Sequence, residues 1–429
     1  MKKLNRIGLF AVFIIFVAYI ALAGCSAPKN AGTGGGEPSA TAVSKLAGGE
    51  NVKMSLYAGP WQEYAENIER LFETFTKEHP NVTIDNIGGT DINALIASGN
   101  YPELFVVVGY SPIKPFVEYL TDLTDKKVLW DNVDDSSYSA VTFDGKRYAV
   151  PLNVEAYGLV YNKKMFREAG FNEPPRTISD FNKLCGALKD NGITPLGFAF
   201  KVDWIANQYL VYPFGWNRDL QDVSQKIING EVRLLDNYYF KNYKNFVDIC
   251  LQNAQPKYME ADYTTQLSLL AGEQVAMISN GDWVGQEIAA MNPDIEMGMM
   301  GMPFTDDPKD YKIYVNVSNV IGVFKDSKHA DVGLAFVEWL ITTPSGKNWI
   351  GKDWKMLTPV LNTNGDINPL SADGLKATEE GIIGEWGENY LPSEASSVYF
   401  VEFQKYMLAD TTWDKMVNAM NDEILKYGK

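Results

Sequence analysis

The stretch LFVVV, residues 104–108, carries five apolar residues with no polar break. Such a run is expected of a strand covered on both faces, as strands of parallel sheets are. Reading outward, VKMSLY (52–57) alternates like a strand. The segment from Trp61 to His79 then repeats apolar residues at helical spacing, with Tyr64, Ile68, Leu71, Phe72 and Phe75. HPNVTI (79–84) closes that helix at Pro80 and opens a strand at Val82. A short helix over Asp91–Ser98 leads into LFVVV. Strands alternating with helices imply an α/β fold, its sheet flanked by helices. In such sheets ligands bind beyond the carboxyl ends of the strands.

Downstream, TFDGKRYAVPL (142–152) places Asp-Gly between alternating segments and predicts a hairpin. PLNVEAYGLVYN (151–162) follows, a nearly unbroken apolar strand with one carboxylate, Glu155, in its middle. A buried carboxylate is costly unless protonated or partnered. Its partner is either a lysine or arginine of this chain, or a ligand. A second α/β series comes next. TISDFNKLCGALKDNG (177–192) is a helix with cap residues Thr177 and Ser179 and a stop at Gly192. A helix over Asp262–Ala271 leads into the buried strand VAMIS (275–279), and NGDW (280–283) opens another helix. VSNVIGVF (317–324) reads as a strand. HADVGLAFVEWLIT (329–342) reads as a helix with Val332, Phe336, Trp339 and Leu340 inward. The last helix aligns Trp413, Met416, Val417, Met420 and Ile424 on one stripe.

The amino terminus sets the compartment. Lys2, Lys3 and Arg6 precede an apolar run from Ile7 to Ile20 and then LAGC, Leu22–Cys25. This is the pattern of a signal peptide over residues 1–24. Small residues directly before the cysteine resemble a bacterial lipobox, which implies lipid on Cys25. Residues 25–49, rich in Gly, Ala, Ser, Thr and Pro, are expected to form a flexible tether. Losing 24 residues and three cations takes the 429-residue chain to 405 and its formal charge from −16 to −19. That length predicts two lobes, and so acidic a chain repels nucleic acid. Cys185 and Cys250 lie in helical patterns and read as packing residues.

Motifs of chemistry are sparse. His79 and His329 stand at predicted helix edges, and no zinc-type spacing, phosphate loop, GxSxG or GxGxxG occurs in the required context. No cofactor or metal is therefore expected. The chain is instead rich in aromatics, with 10 Trp, 23 Tyr and 21 Phe, several at predicted strand ends and loops, where they point to binding.

LFETFTKEHPNVTI (71–84), ASGNYPELFVV (97–107), the run from Phe143 to Cys185, GEQVAMISNGDW (272–283) and FVEWLITTPSGKNWI (336–350) occur in an order that resembles the family 1 extracellular solute-binding proteins. These are maltose-binding-protein-like, sugar-capturing components of ABC importers, and the resemblance runs over residues 50–429. It implies two α/β lobes joined by crossover segments, with residues 50–154 and 317–360 in one lobe and 155–316 and 361–429 in the other. The cleft between them would close on the ligand by hinge motion.

The resemblance makes Glu155 a cleft-facing acceptor of sugar hydroxyls, and Trp283 of NGDW a stacking platform for a pyranose face. Asp282 is either a hydroxyl acceptor or a helix cap. FAFKVDWIANQY (198–209) places Trp204 opposite Trp283, with Asp203 as a neighbouring acceptor. Trp61 and Glu63 follow the first strand and Tyr110 the third. Asn153, Asn316 and Asn319 are further candidates, with Trp386 of GEWGENY (384–390). Val107, Val108, Gly109 and Tyr110 replace an acidic or tryptophan ligand common in the family, which argues against a maltose-type specificity; separately, the chain resembles the raffinose- and multiple-sugar-binding branch, which implies a short oligosaccharide. The expectation is a monomeric lipoprotein on the outer face of a Gram-positive membrane, handing an oligosaccharide to a permease. Two alternatives stand beside it: a glycosidase using Glu155 and Asp282, and a ferric or anion binder using Tyr238 and Tyr239.

Overall fold

The computed structural model describes residues 46–59, 65–109, 112–217, 219–363 and 365–428. The expected signal peptide and Cys25, together with Trp61, Glu63 and Tyr110, lie outside the described residues. Residues 25–45 of the expected tether also lie outside the described residues, and its last four, 46–49, are not free. Leu46 packs against the core, and Asn81 Nδ2 donates to the carbonyls of Leu46 (2.8 Å) and Glu50 (2.7 Å), so the chain is held from residue 46 onward.

Thirteen strands are described, β1 (Val52–Ala58), β2 (Val82–Asn86), β3 (Leu104–Val108), β4 (Thr142–Phe143), β5 (Lys146–Arg147), β6 (Ala149–Pro151), β7 (Val154–Asn162), β8 (Thr194–Gly197), β9 (Val275–Gly281), β10 (Met297–Met300), β11 (Ile313–Val317), β12 (Asn319–Val323) and β13 (Ile383–Gly384). One sheet has the order β2-β1-β3-β12-β6. The other has β13-β11-β7-β9-β8, with β10 also paired to β7. β1, β2 and β3 are parallel, as the strand–helix alternation predicts, and so are β8 and β9. β12 joins β3 antiparallel, and β7 pairs antiparallel with β9 and β11.

Helices cover the sheets through their apolar stripes. On helix Ala65–Glu78, Ile68, Leu71 and Phe75 are buried. Phe75 meets Phe336 (4.9 Å) and Trp339 (5.0 Å) edge-on, on helix Ala330–Thr342. The closing helix, Trp413–Ile424, buries Trp413, Met416, Val417, Met420 and Ile424. β4 and β5 form the expected hairpin, with Asp144 and Gly145 both at positive φ (49° and 76°), as its tight turn requires. Cys185 and Cys250 are buried free thiols, and burial pushes Cys185 up to about 12. No described helix is long and apolar enough to cross a membrane.

The chain passes between the sheets at residues 151–154 and 317–319, and again after Trp354. The single strand expected over 151–162 is therefore two, because β6 pairs in one sheet and β7 in the other. The passages are bonded together. Leu152 N donates to Asn319 O (2.9 Å), Ser318 N to Asn153 O (3.1 Å), and Val154 N to Leu357 O (2.8 Å). Thr358 Oγ1 donates to Leu152 O at 2.6 Å.

Candidate binding site

A cavity of about 560 Å³ opens where the carboxyl ends of strands from both sheets meet these passages, the position expected in α/β sheets. Gly59, Val108 and Pro112 line it from the end of β1 and the region of β3. LFVVV accordingly loses cover toward its end: Leu104, Phe105 and Val106 are buried, while Val107 and Val108 are half-buried. Glu155, Ser318 and Asn319 line it at the passages, and the second sheet's side contributes Asp203, Trp204, Trp283 and Trp386.

The apolar part is one continuous wall. Trp283 stands two residues past the end of β9, and its indole lies against Gly281, where an added Cβ would sit 1.8 Å from the ring. The residue before Asp282 must therefore be glycine for the ring to take this position. Around Trp283 stand Tyr157, nearly parallel at 6.2 Å and 8°, Trp204 at 6.3 Å and 53°, and Trp386 at 5.9 Å and 56°. Trp204 and Trp283 were expected to face each other. They are neighbours instead: a sugar between two parallel rings needs roughly 7–8 Å, twice a van der Waals contact, and these rings are tilted by 53° at 6.3 Å. Trp283 is 8 % exposed and Trp204 more so, which makes Trp204 the larger open face.

The polar part centres on Glu155. Its carboxylate accepts from Asn153 Nδ2 (2.8 Å) and Asn319 Nδ2 (3.2 Å), and Ser318 bonds it as well. Burial pushes its pKa up and these three bonds pull it down. No described lysine or arginine forms an ion pair with it, so its intrachain partners are neutral. Asn153 lies behind the wall and Asn319 on it. Asn319 also anchors the passage, donating from N (2.7 Å) and Nδ2 (3.1 Å) to Asn153 Oδ1. Asn316 pairs with Glu155 in the β7–β11 ladder, and its side chain accepts from Val317 N (2.8 Å).

Asp282 serves neither expected role. It is fully buried, absent from the lining, and accepts from Ala156 N (3.1 Å) and Ser371 Oγ (2.5 Å), joining β7 to helix Pro369–Glu380. Its oxygens meet intrachain donors, so Asp282 is not on the lining to pair with Glu155 in glycoside hydrolysis. Burial and the nearby Glu155 push its pKa well up. Tyr238 and Tyr239 also stand away from the lining. They begin helix Tyr238–Gln252, with Tyr238 exposed and Tyr239 edge-on to Phe304 at 6.2 Å. Among the described residues no group of three or more metal-ligating side chains is gathered.

Sequence reading overlooked Asn207, Asn389, Ser396 and Tyr399, which also line the cavity. A signal existed in DWIANQYLV, where an amide pair interrupts a helix that is otherwise mostly apolar. Among the lining residues, Asn207 Oδ1, Asn319 Oδ1, Trp386 Nε1 and Tyr399 OH are buried without an intrachain hydrogen-bond partner.

Comparison with known proteins bears on this arrangement. A family model described as bacterial extracellular solute-binding protein matches residues 58–347. The melibiose/raffinose/stachyose-binding protein MelE of Bacillus subtilis is 24% identical over 377 residues, covering 83% of this chain and 82% of that protein. The multiple sugar-binding protein of Streptococcus mutans is 22% identical over 380 residues, covering 82% of each. The solved structure of RafE in complex with raffinose superposes with a TM-score of 0.76 at 21% identity, covering 88% of this chain and all of that one. The two-lobed α/β fold of such binding proteins is thus the fold of this chain.

Proposed function

Because the chain belongs to the bacterial extracellular solute-binding protein family, we propose that it captures a neutral oligosaccharide between its two lobes and delivers it to the permease of an ABC importer. The observation that carries this reading is the lining of the cavity: a wall of three tryptophans beside amides, hydroxyls and carboxylates. Indole faces cover the C–H face of a pyranose, while side-chain acceptors and donors take its hydroxyls. The charged lining side chains described, Glu155 and Asp203, are both acidic, so a sugar bearing carboxylate or phosphate is repelled. The names of MelE and RafE's ligand favour a raffinose-type sugar. The protein acts by binding, without turnover. Lipid on Cys25 holds it as a monomer at the outer face of the membrane of a Gram-positive cell, close to the permease.

Calorimetric titration with raffinose, maltotriose, xylotriose and kestose tests this. The expected result is a Kd of about 1 μM, near −8 kcal/mol, for one of them, with the sugar recovered unchanged after hours of incubation. Trp204→Ala, at the more open ring, weakens that binding about tenfold or more. Silence across the panel, or steady consumption of the sugar, refutes the proposal.

A further inference from the structure

We infer that Asn207, Trp386 and Tyr399 form a specificity subsite, beside the Trp204–Trp283 platform, that receives a further polyhydroxylated unit of the ligand and so sets its minimum chain length. The inference rests on the oligosaccharide reading. The three side chains come from helix Asp203–Val211, the segment after β13 and helix Ser396–Met407, yet all line one cavity. Each keeps a buried polar atom without an intrachain partner. Trp386 and Tyr399 are 4 % and 3 % exposed. A buried donor or acceptor left unpaired is disfavoured, and several meeting on one cavity mark a place where the partner comes from outside the chain.

The atoms also state what that partner is. Asn207 Nδ2 donates to Ser396 O at 3.0 Å, which fixes the amide and presents Oδ1 as an acceptor. Trp386 Nε1 can only donate, and the Tyr399 hydroxyl can do both. An anion would satisfy the indole and leave Asn207 unpaired; a cation would do the reverse. Hydroxyl groups donate and accept from the same oxygen, so neighbouring hydroxyls of a neutral sugar ring satisfy all three. Trp204 takes one ring, and the unpaired groups of Asn207, Trp386 and Tyr399 on the same cavity take the next unit.

The test compares wild type with Tyr399→Phe and Trp386→Phe, which each remove one polar group and keep an aromatic ring. Titrations use three series: melibiose, raffinose and stachyose; maltose, maltotriose and maltotetraose; xylobiose, xylotriose and xylotetraose. In the series that binds, both variants are expected to lose about tenfold in affinity for the tri- and tetrasaccharide; Tyr399→Phe binds the disaccharide as wild type does, and Trp386→Phe, on the tryptophan wall, weakens it less than the longer sugars. The melting temperature of ligand-free Tyr399→Phe should be unchanged or higher, since the lost hydroxyl had no partner. Equal weakening for all chain lengths overturns the subsite, as does affinity unchanged in both variants, and in either case oligosaccharide binding still stands. Silence of wild type in all three series overturns that reading and the subsite together.

Discussion

Asp282 and Glu155 are buried carboxylates with different work. Glu155 faces the cavity through amide and hydroxyl donors, whereas Asp282 ties β7 to helix Pro369–Glu380. Both pKa values are raised in the folded protein, with burial the main cause and the nearby Glu155 charge adding to the shift of Asp282. Each carboxyl therefore holds its proton more tightly folded than unfolded. The stability this contributes is complete below the ordinary carboxylate range, near pH 4, and is lost as pH rises through the raised values. Asp282→Asn keeps an acceptor for Ala156 N and removes the charge. Its melting temperature relative to wild type should rise steadily between about pH 4 and pH 8, and a flat difference would contradict the assignment. Asp282→Ala strands the Ala156 amide and should cost about 3 kcal/mol near pH 4, the cost shrinking as pH rises, measured by denaturant titration.

The passages between the sheets are the elements that join the two sides of the cavity. Asn153 bonds both Glu155 and Asn319, so it couples the cavity-facing carboxylate to a second passage. Asn153→Ala leaves the Asn319 amide and Glu155 under-bonded, and is expected to lower stability by about 2 kcal/mol and to weaken ligand binding as well. Unchanged affinity in that variant would separate the passage from the site. Periodic elements were legible in the sequence because each is fixed by its own spacing: LFVVV is β3, and the stripe from Trp413 to Ile424 is a buried helix face. The break at Asn153 was not, since it depends on pairing with β12 and β7 partners far along the chain. Site residues divide in the same way. Trp204, Trp283, Trp386, Glu155, Asp203 and Asn319 meet on one lining, and aromatic or charged residues at strand ends stand out in a sequence. Asn207 and Tyr399 belong to helices whose packing against each other creates their wall, and no local pattern reports that contact. Asp282 was misassigned because adjacency to Trp283 says nothing of which way a side chain turns.

At the scale of the molecule, two sheets share a cavity and are joined by bonded passages, so a ligand touching both sides binds the folded state alone. At a concentration one hundred times its Kd, an oligosaccharide should add about 2.7 kcal/mol to the unfolding free energy. This is visible as a rise of several degrees in melting temperature, and a sugar that binds by calorimetry without that rise would have to bind elsewhere. The crowding of Trp204, Trp283 and Trp386, with neighbouring centroids 5.9 and 6.3 Å apart, has an optical consequence. Indoles this close exchange excitation, and their emission depends on the water and dipoles around them. Others, such as Trp216 and Trp354, are sealed in the core and supply a constant background. Ultraviolet emission from the unlabelled protein should therefore change as a sugar displaces solvent from the wall, so that the chain signals its own occupancy.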